Sequence, residues 1–316
     1  MKRIVAAMTA LLLLFGLCAF AETPTRKTEF PDNTFMEIPA DYRNGVTQRG
    51  KVVLFMYDAA TPDGVAYKKG ALVYLPYGYD PNDTETRYNV MYLMHGSGQN
   101  YMEFLKGMGT MSSTSMMLDA MIEKGRIEPM ILVTPTFNVP GFDEGYGAAN
   151  FWYELENYLI PAFESQYNTY AMDVTPEGIR ASRGHRAMGG FSMGSMCTWI
   201  VFTHCLDEIA YYMPVAGGFW GSSSAMGPAM QLAESVTAAG YTPDDFIIYA
   251  GCGGPGDIAY QGMNDLIDSM TTLPDMFVMC ENFRDGNLYY TQCNGGHSRN
   301  TVEMIMFSGL PTFFDK

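Results

Sequence analysis

The chain is short of the residues that build metal centres. Its 316 residues include only four histidines, His95, His185, His204 and His297, and no H-E-x-x-H or H-x-H spacing occurs among them. Six cysteines are present, but none forms a C-x-x-C pair. These absences exclude the common zinc-binding patterns, so no metal is expected. Asp80-Pro81-Asn82-Asp83 has the oxygen ligands of a calcium loop, yet Glu85 stands where such a loop requires glycine. A solvated turn is expected there instead. Basic residues are also scarce, 19 Lys+Arg against 34 Asp+Glu, giving a net charge of −15. So acidic a surface argues against nucleic acid, polyphosphate or anionic membrane as a partner, whereas neutral polymers are not repelled. It also keeps a protein soluble, which needs no partner at all.

Long apolar runs are missing beyond the first twenty residues. Met1-Lys2-Arg3 is followed by a mainly apolar stretch, 4–17, and then by Cys18-Ala19-Phe20-Ala21 before Glu22. A basic head, an apolar stretch of this length and an A-x-A site make a secretory signal peptide, cut after Ala21. The stretch is too short for a membrane anchor. Leu17 is too bulky for Cys18 to serve as a lipoprotein site. Cleavage takes Lys2 and Arg3 with it and leaves 295 residues of net charge −17, with five cysteines. That length suits one well-buried domain, and no repeat, low-complexity tract or linker divides residues 22–316. An exported, soluble, single-domain protein is expected, secreted or periplasmic.

Short apolar runs bounded by Gly, Pro, Asp or Asn predict strands at 51–56, 71–75, 90–94, 130–134, 186–191, 211–216, 246–250 and 288–292. Helices are predicted at 114–124, 150–167, 193–206, 226–239, 258–270 and 299–309, with Pro161 kinking or splitting the second. Residues 22–45 read as an irregular arm. Strands alternating with helices imply an α/β architecture, a mostly parallel eight-stranded sheet flanked by helices.

Within that alternation lies Gly190-Phe191-Ser192-Met193-Gly194, directly after the fifth predicted strand and before a helix. A G-x-S-x-G at a strand-to-helix turn is the setting of a nucleophile elbow, where the turn is too crowded for a Cβ on either flank. The serine then sits at a helix N-terminus, which favours developing negative charge. A serine hydroxyl needs a base, and the base needs an orienting acid. His204 lies twelve residues into the following helix, and His185 at the opposite end of the strand. His297, after two glycines and beyond the last strand, is the expected base. The acid should fall between serine and histidine in chain order. Asp257, in the glycine-rich stretch after the seventh strand, fits; helix N-capping is its alternative use. Asp265 and Asp268 fall within the next helix and are expected to face solvent, while Asp244 and Asp245 precede the strand. Oxyanion donors are expected from the backbone amides of Met193 and Ser97, the latter in His95-Gly96-Ser97-Gly98, with Gly98 as its neighbour and His95 supporting the loop.

These residues resemble the feruloyl and acetyl xylan esterases grouped with esterase D, a branch of the α/β-hydrolases. The resemblance runs from about Gly50 to Phe314, through Lys69-Gly70-Ala71-Leu72-Val73-Tyr74-Leu75-Pro76, Tyr92-Leu93-Met94-His95-Gly96, Pro129-Met130-Ile131-Leu132-Val133-Thr134-Pro135, the elbow at Ser192, and Gly295-Gly296-His297. It implies an α/β-hydrolase fold with Ser192, Asp257 and His297 as nucleophile, acid and base, and no cofactor. Many members place tryptophan just after the histidine; this chain has Ser298. Together with the signal peptide, the resemblance implies a secreted serine esterase that deacylates plant cell-wall polysaccharide or its oligosaccharides. Feruloyl esterase on feruloylated xylan comes first, then acetyl xylan esterase, then siderophore esterase; a non-catalytic carbohydrate-binding protein on the same fold is the rival class. Tyr146, Trp152, Phe219, Trp220 and Tyr260 fall in loops near the expected mouth and are candidates to line a cinnamoyl slot or stack on sugar. Each could equally be ordinary packing. Methionines 108, 111, 116, 117 and 121 suit core filling. Cys252 and Cys293 end neighbouring strands, so a disulfide between them could tie the acid loop to the base loop, with Cys280 as a rival partner and free thiols as the alternative.

Overall fold

The computed structural model describes residues 37–44, 46–109, 111–219, 224–281 and 286–314. The expected signal peptide and Trp220 lie outside them. Eight strands form one sheet: β1 (Lys51–Ala60), β2 (Ala66–Leu75), β3 (Asn89–Met94), β4 (Met130–Thr134), β5 (Arg186–Phe191), β6 (Tyr211–Val215), β7 (Ile247–Cys252) and β8 (Leu288–Gln292). Their order across the sheet is β1-β2-β4-β3-β5-β6-β7-β8. Pairing is antiparallel from β1 through β2 to β4 and parallel from β4 onward. This is the α/β-hydrolase fold. Every residue of β3, β4, β5, β6 and β7 is buried, which explains why these segments read as unbroken apolar runs rather than alternating ones. The β1–β2 hairpin is longer than the sequence pattern suggested. Its outer strand alternates buried and exposed residues as an edge should, and polar positions such as Asp58 and Lys68 extend it into solvent.

Among the described residues, eight α-helices cover the sheet: α1 (Ser113–Glu123), α2 (Glu144–Glu154), α3 (Ile160–Glu164), α4 (Pro176–Ala181), α5 (Met193–His204), α6 (Met226–Ala239), α7 (Tyr260–Thr271) and α8 (Arg299–Gly309). Six of them pack in two groups, α1 with α8, and α2, α5, α6 and α7 in a row. Helix α2 starts six residues before the predicted position because Asp143 caps it through the Tyr146 amide. The disturbance expected at Pro161 takes the form of a π turn, Leu155–Leu159, which joins α2 to α3 with Ile160 N–H donating to Leu155 O. Helix α4, only six residues long, carried no predicted signal. No helix among the described residues is long and apolar enough to cross a membrane.

The strand order places the site. From β3 the chain steps outward to β4 and then returns to the other side of β3 as β5, so connections after these neighbours leave in opposite directions. In open α/β sheets a ligand crevice is expected at such a switch point, at the carboxyl ends of the strands. At the opposite end of β5, Arg186 is locked in a buried bidentate pair with Glu164 (2.5 and 2.9 Å) and donates further to Ser182 Oγ and the carbonyls of Ile179 and Glu208. Tyr92 completes the group by donating to Glu164. Its donors are fully used, the condition under which a buried pair can be tolerated.

Candidate active site

Ser192 follows β5 with φ 57° and ψ −116°, a conformation that side chains other than glycine avoid and that costs roughly 1–3 kcal/mol. Its surroundings hold it there. Its amide donates to Val215 O at the end of β6 (2.9 Å), and both flanking glycines are required by contact. A Cβ on Gly190 would meet Gly194 O at 2.1 Å, and one on Gly194 would meet the carbonyl oxygens of His95 and Met94 at 2.4 and 2.5 Å. Helix α5 therefore starts hard against the ends of both β5 and β3. Gly217 closes the back of the turn: a Cβ there would lie 2.3 Å from Ser192 O, and its own carbonyl accepts from Ser195 Oγ and Trp199 Nε1. Nothing in the sequence reading pointed to Gly217. A glycine pair directly after the sixth strand was the available signal.

Ser192 Oγ lies 2.9 Å from His297 Nε2, and His297 Nδ1 lies 2.6 Å from Asp257 Oδ1. Asp257 is buried, while the imidazole keeps a fifth of its side-chain surface open. The Asp257 carboxylate is itself fixed by the amides of Gly253 and Ala259, both at 2.9 Å. Asp257 thus faces the histidine and does not cap the helix: the N-cap of α7 is Ala259, which carries no side-chain cap bond and only donates its own amide to Asp257. The loops that carry Asp257 and His297 touch backbone to backbone: Gly296 N–H donates to Gly253 O, and a Cβ on Gly253 would sit 2.1 Å from Gly296 O. Ser298 donates to Gly295 O, where relatives of the resembled family often carry tryptophan. With Asp257 accepting at Nδ1, the neutral tautomer leaves Nε2 free to take the Ser192 proton.

The loop after β3 runs beside Ser192; a Cβ on Gly96 would fall 3.3 Å from Ser192 Cβ. His95 is buried beneath it, Nδ1 2.7 Å from Gly96 O and Nε2 2.6 Å from Thr136 Oγ1. Burial holds its pKa down at about 4, so the ring is neutral and donates to the Gly96 carbonyl. The amides of Met193 and Ser97 make no hydrogen bond to another described residue, whereas that of Gly98 is taken by Glu144 Oε1 (2.9 Å).

A cleft of about 370 Å³ opens from Ser192 and His297 between α6 and α7, walled by Met196, Phe219, Pro228, Ile258, Asp265 and Leu266 among others. Of the aromatic candidates among the described residues, only Phe219 lines it. Tyr260, the first residue of α7, packs half-buried against the core. Tyr146 stacks on Phe142 with its hydroxyl 3.4 Å from Asp63. Trp152 stacks on His204 (ring centroids 4.0 Å apart), at the far end of α5 from Ser192. Asp265, expected to face solvent alone, also forms part of the cleft wall, and Ile258, 84% exposed, forms its lip. Met117 and Met121 fill the core as expected, but Met108 and Met111 are exposed.

Other residues set aside behave as solvated or structural groups. Asp80 and Asp83 accept from the amides of Asn82, Glu85 and Thr86 within their own turn. His185 stacks on Tyr170 at the amino end of β5. The suggested Cys252–Cys293 bridge is not formed: both thiols are free and buried. Cys252 pairs in register with Gln292, one residue short of Cys293, so the two side chains leave opposite faces of the sheet. Cys252 Sγ instead contacts the Tyr290 hydroxyl at 3.1 Å.

Residues 67–225, half of the chain, match a family model described as "Putative esterase". The chain belongs to this esterase family. Among solved structures, this esterase is similar to the feruloyl esterase module from Clostridium thermocellum complexed with sinapinate, with 37% identity, a TM-score of 0.81, and coverage of 91% of this chain and 96% of the module. It shares its fold, at 19% identity and a TM-score of 0.65, with a ferulic acid esterase from Anaeromyces mucronatus, covering 89% of this chain and 96% of that one. Among curated proteins, the endo-1,4-beta-xylanase Y of Acetivibrio thermocellus is 38% identical over 93% of this chain. The esterase spans only 26% of that xylanase, and 19% of the endo-1,4-beta-xylanase/feruloyl esterase of Xylanibacter ruminicola, which is 30% identical over 47% of this chain.

Proposed function

We propose that this esterase is a secreted feruloyl esterase that removes hydroxycinnamoyl groups from xylan. The observation that carries the reading is the continuous hydrogen-bonded series Ser192–His297–Asp257 at the floor of an open cleft. Similarity along nearly the whole described chain to a feruloyl esterase module supports the choice of acyl group. In this reading Ser192 Oγ attacks the ester carbonyl carbon and passes its proton to His297 Nε2. The tetrahedral oxygen takes hydrogen bonds from the Met193 and Ser97 amides, and the N-terminus of α5 adds its dipole. His297 then returns the proton to the departing sugar oxygen. Water, deprotonated by His297, hydrolyses the acyl-enzyme and releases the cinnamate. Asp257 holds the imidazole in the required tautomer and stabilises its charged form. No cofactor is required. Met1 to Ala21 would direct export, and residues 22–316 would act as one domain; an intact-mass measurement on secreted protein lacking residues 1–21 tests that part.

The test of function is release of ferulate and of acetate from feruloylated and acetylated xylan, run beside Ser192→Ala. Ferulate release that falls at least about 10⁴-fold in the variant is the expected result. Acetate release alone would reassign the acyl group and keep the mechanism. Retention on xylan without release of either acid would overturn the reading in favour of a binding protein.

A further inference from the structure

Helix α2 holds the loop after β3 from both of its ends. At its last residue, Glu154 pairs with Lys69 (2.7 Å), and the same ammonium donates to Thr136 O (2.8 Å). The Thr136 hydroxyl donates to His95 Nε2, and His95 Nδ1–H donates to Gly96 O. At its first residue, Glu144 accepts from the Ser97 hydroxyl (2.5 Å) and from the Gly98 amide (2.9 Å). The first support is buried; the second is solvent-exposed, so no core packing imposes it. Between them, three successive amides are sorted. That of Gly96 donates to Gln99 Oε1 (2.7 Å), and that of Gly98 to Glu144. Of the three, only the Ser97 amide has no acceptor among the described residues, one residue from a glycine that abuts Ser192.

A loop with glycines on both sides, one of them at φ +73°, has little stiffness of its own. Bonds to an ionised acceptor are about twice as strong as neutral ones, and a preorganised donor costs no rearrangement when the oxyanion forms. We propose that Glu144 is a positioning residue of the oxyanion site: by engaging the Ser97 hydroxyl and the Gly98 amide, it fixes the peptide that presents the Ser97 N–H to the tetrahedral oxygen. The inference rests on the esterase reading. It also implies a cost, since a carboxylate is held near the place where negative charge develops; the benefit lies in geometry, not charge.

The experiment measures kcat and KM on methyl ferulate, and inhibition by an arylboronic acid, for wild type, Glu144→Ala and Glu144→Gln. Glu144→Ala is expected to lower kcat by about tenfold to a hundredfold with KM within about twofold, and to weaken the boronate by the same factor as kcat/KM. Glu144→Gln is expected to stay within about fivefold of wild type on every measure, because its amide oxygen still accepts from Gly98. If Glu144→Ala does not fold, Glu144→Asp, one methylene shorter, is expected to lose kcat about tenfold. An unchanged kcat in Glu144→Ala, a loss confined to KM, or a Glu144→Gln as impaired as Glu144→Ala would overturn the inference alone. A wild type that hydrolyses no ester would remove both the inference and the reading beneath it.

Discussion

The floor of the cleft and its walls are built by different means. On the floor, backbone meets backbone: Gly190 against Gly194, Gly194 against the end of β3, Gly217 against Ser192 and Gly253 against Gly296, each so close that a Cβ would overlap. The wall is made of side chains, Met196 from α5, Phe219, Pro228 from α6, Ile258 and Leu266 from α7, and it ends at Ile258, a lip open to solvent. A floor of this kind tolerates no substitution but fixes atoms closely enough for chemistry. A wall of this kind can exchange residues and so change which acyl group fits, without disturbing the hydroxyl–imidazole–carboxylate geometry.

That contrast can be broken most directly at Gly190. Gly190→Ala adds one methyl group that must displace the start of α5, and kcat should fall by at least about 10³-fold as Ser192 moves off His297. A variant with wild-type kcat would show that the floor is softer than its contacts imply. The next effect concerns what lies under the floor. His95 is held at about 4, below its ordinary 6.5, because burial disfavours the imidazolium. Between those values the unfolded chain gains a proton that the folded one refuses. Its contribution is therefore complete above pH 6.5 and is lost as pH falls through 4, by about 3 kcal/mol in all. Chemical denaturation of wild type and His95→Gln across pH 7 to 4 checks this; the variant should show the shallower acid loss. The smallest effects belong to the wall. Phe219→Ala should raise KM for methyl ferulate by about threefold to tenfold with little change in kcat, worth roughly 1 kcal/mol of apolar contact. Trp152→Ala, remote from the cleft, should leave KM within about twofold while lowering the melting temperature. Equal KM changes in the two would erase the distinction between a lining aromatic and a packing one.

The same division governs what could be read before any coordinates. Ser192, Asp257 and His297 were legible because each sits where a strand ends and glycines accumulate, and a tight backbone turn leaves that mark in a one-dimensional pattern. The strand positions were legible for a related reason, since full burial produces unbroken apolar runs. The wall left no such mark. Asp265 and Ile258 reach the cleft only through the packing of α7 against α6, a tertiary event, and aromatic content could not tell Phe219 in the cleft from Trp152 behind α5. Cys252 and Cys293 were misleading for the smallest of reasons: a register one residue different would put them on one face. Glu144 was passed over because the helix was expected to begin at 150, which left this residue in a loop with no visible partner.

The buried thiols have a use for the experimenter. Cys197 and Cys205 lie in and just beyond α5, Cys252 at the end of β7, and Cys280 and Cys293 on either side of β8, all shielded from reagents in the folded state. Burial raises the pKa of the first three, which further quenches any thiolate. Alkylating agents in the medium should therefore report only on molecules that have transiently opened. Mass mapping of which cysteine is trapped first would then chart the order in which α5 and the outer half of the sheet come apart.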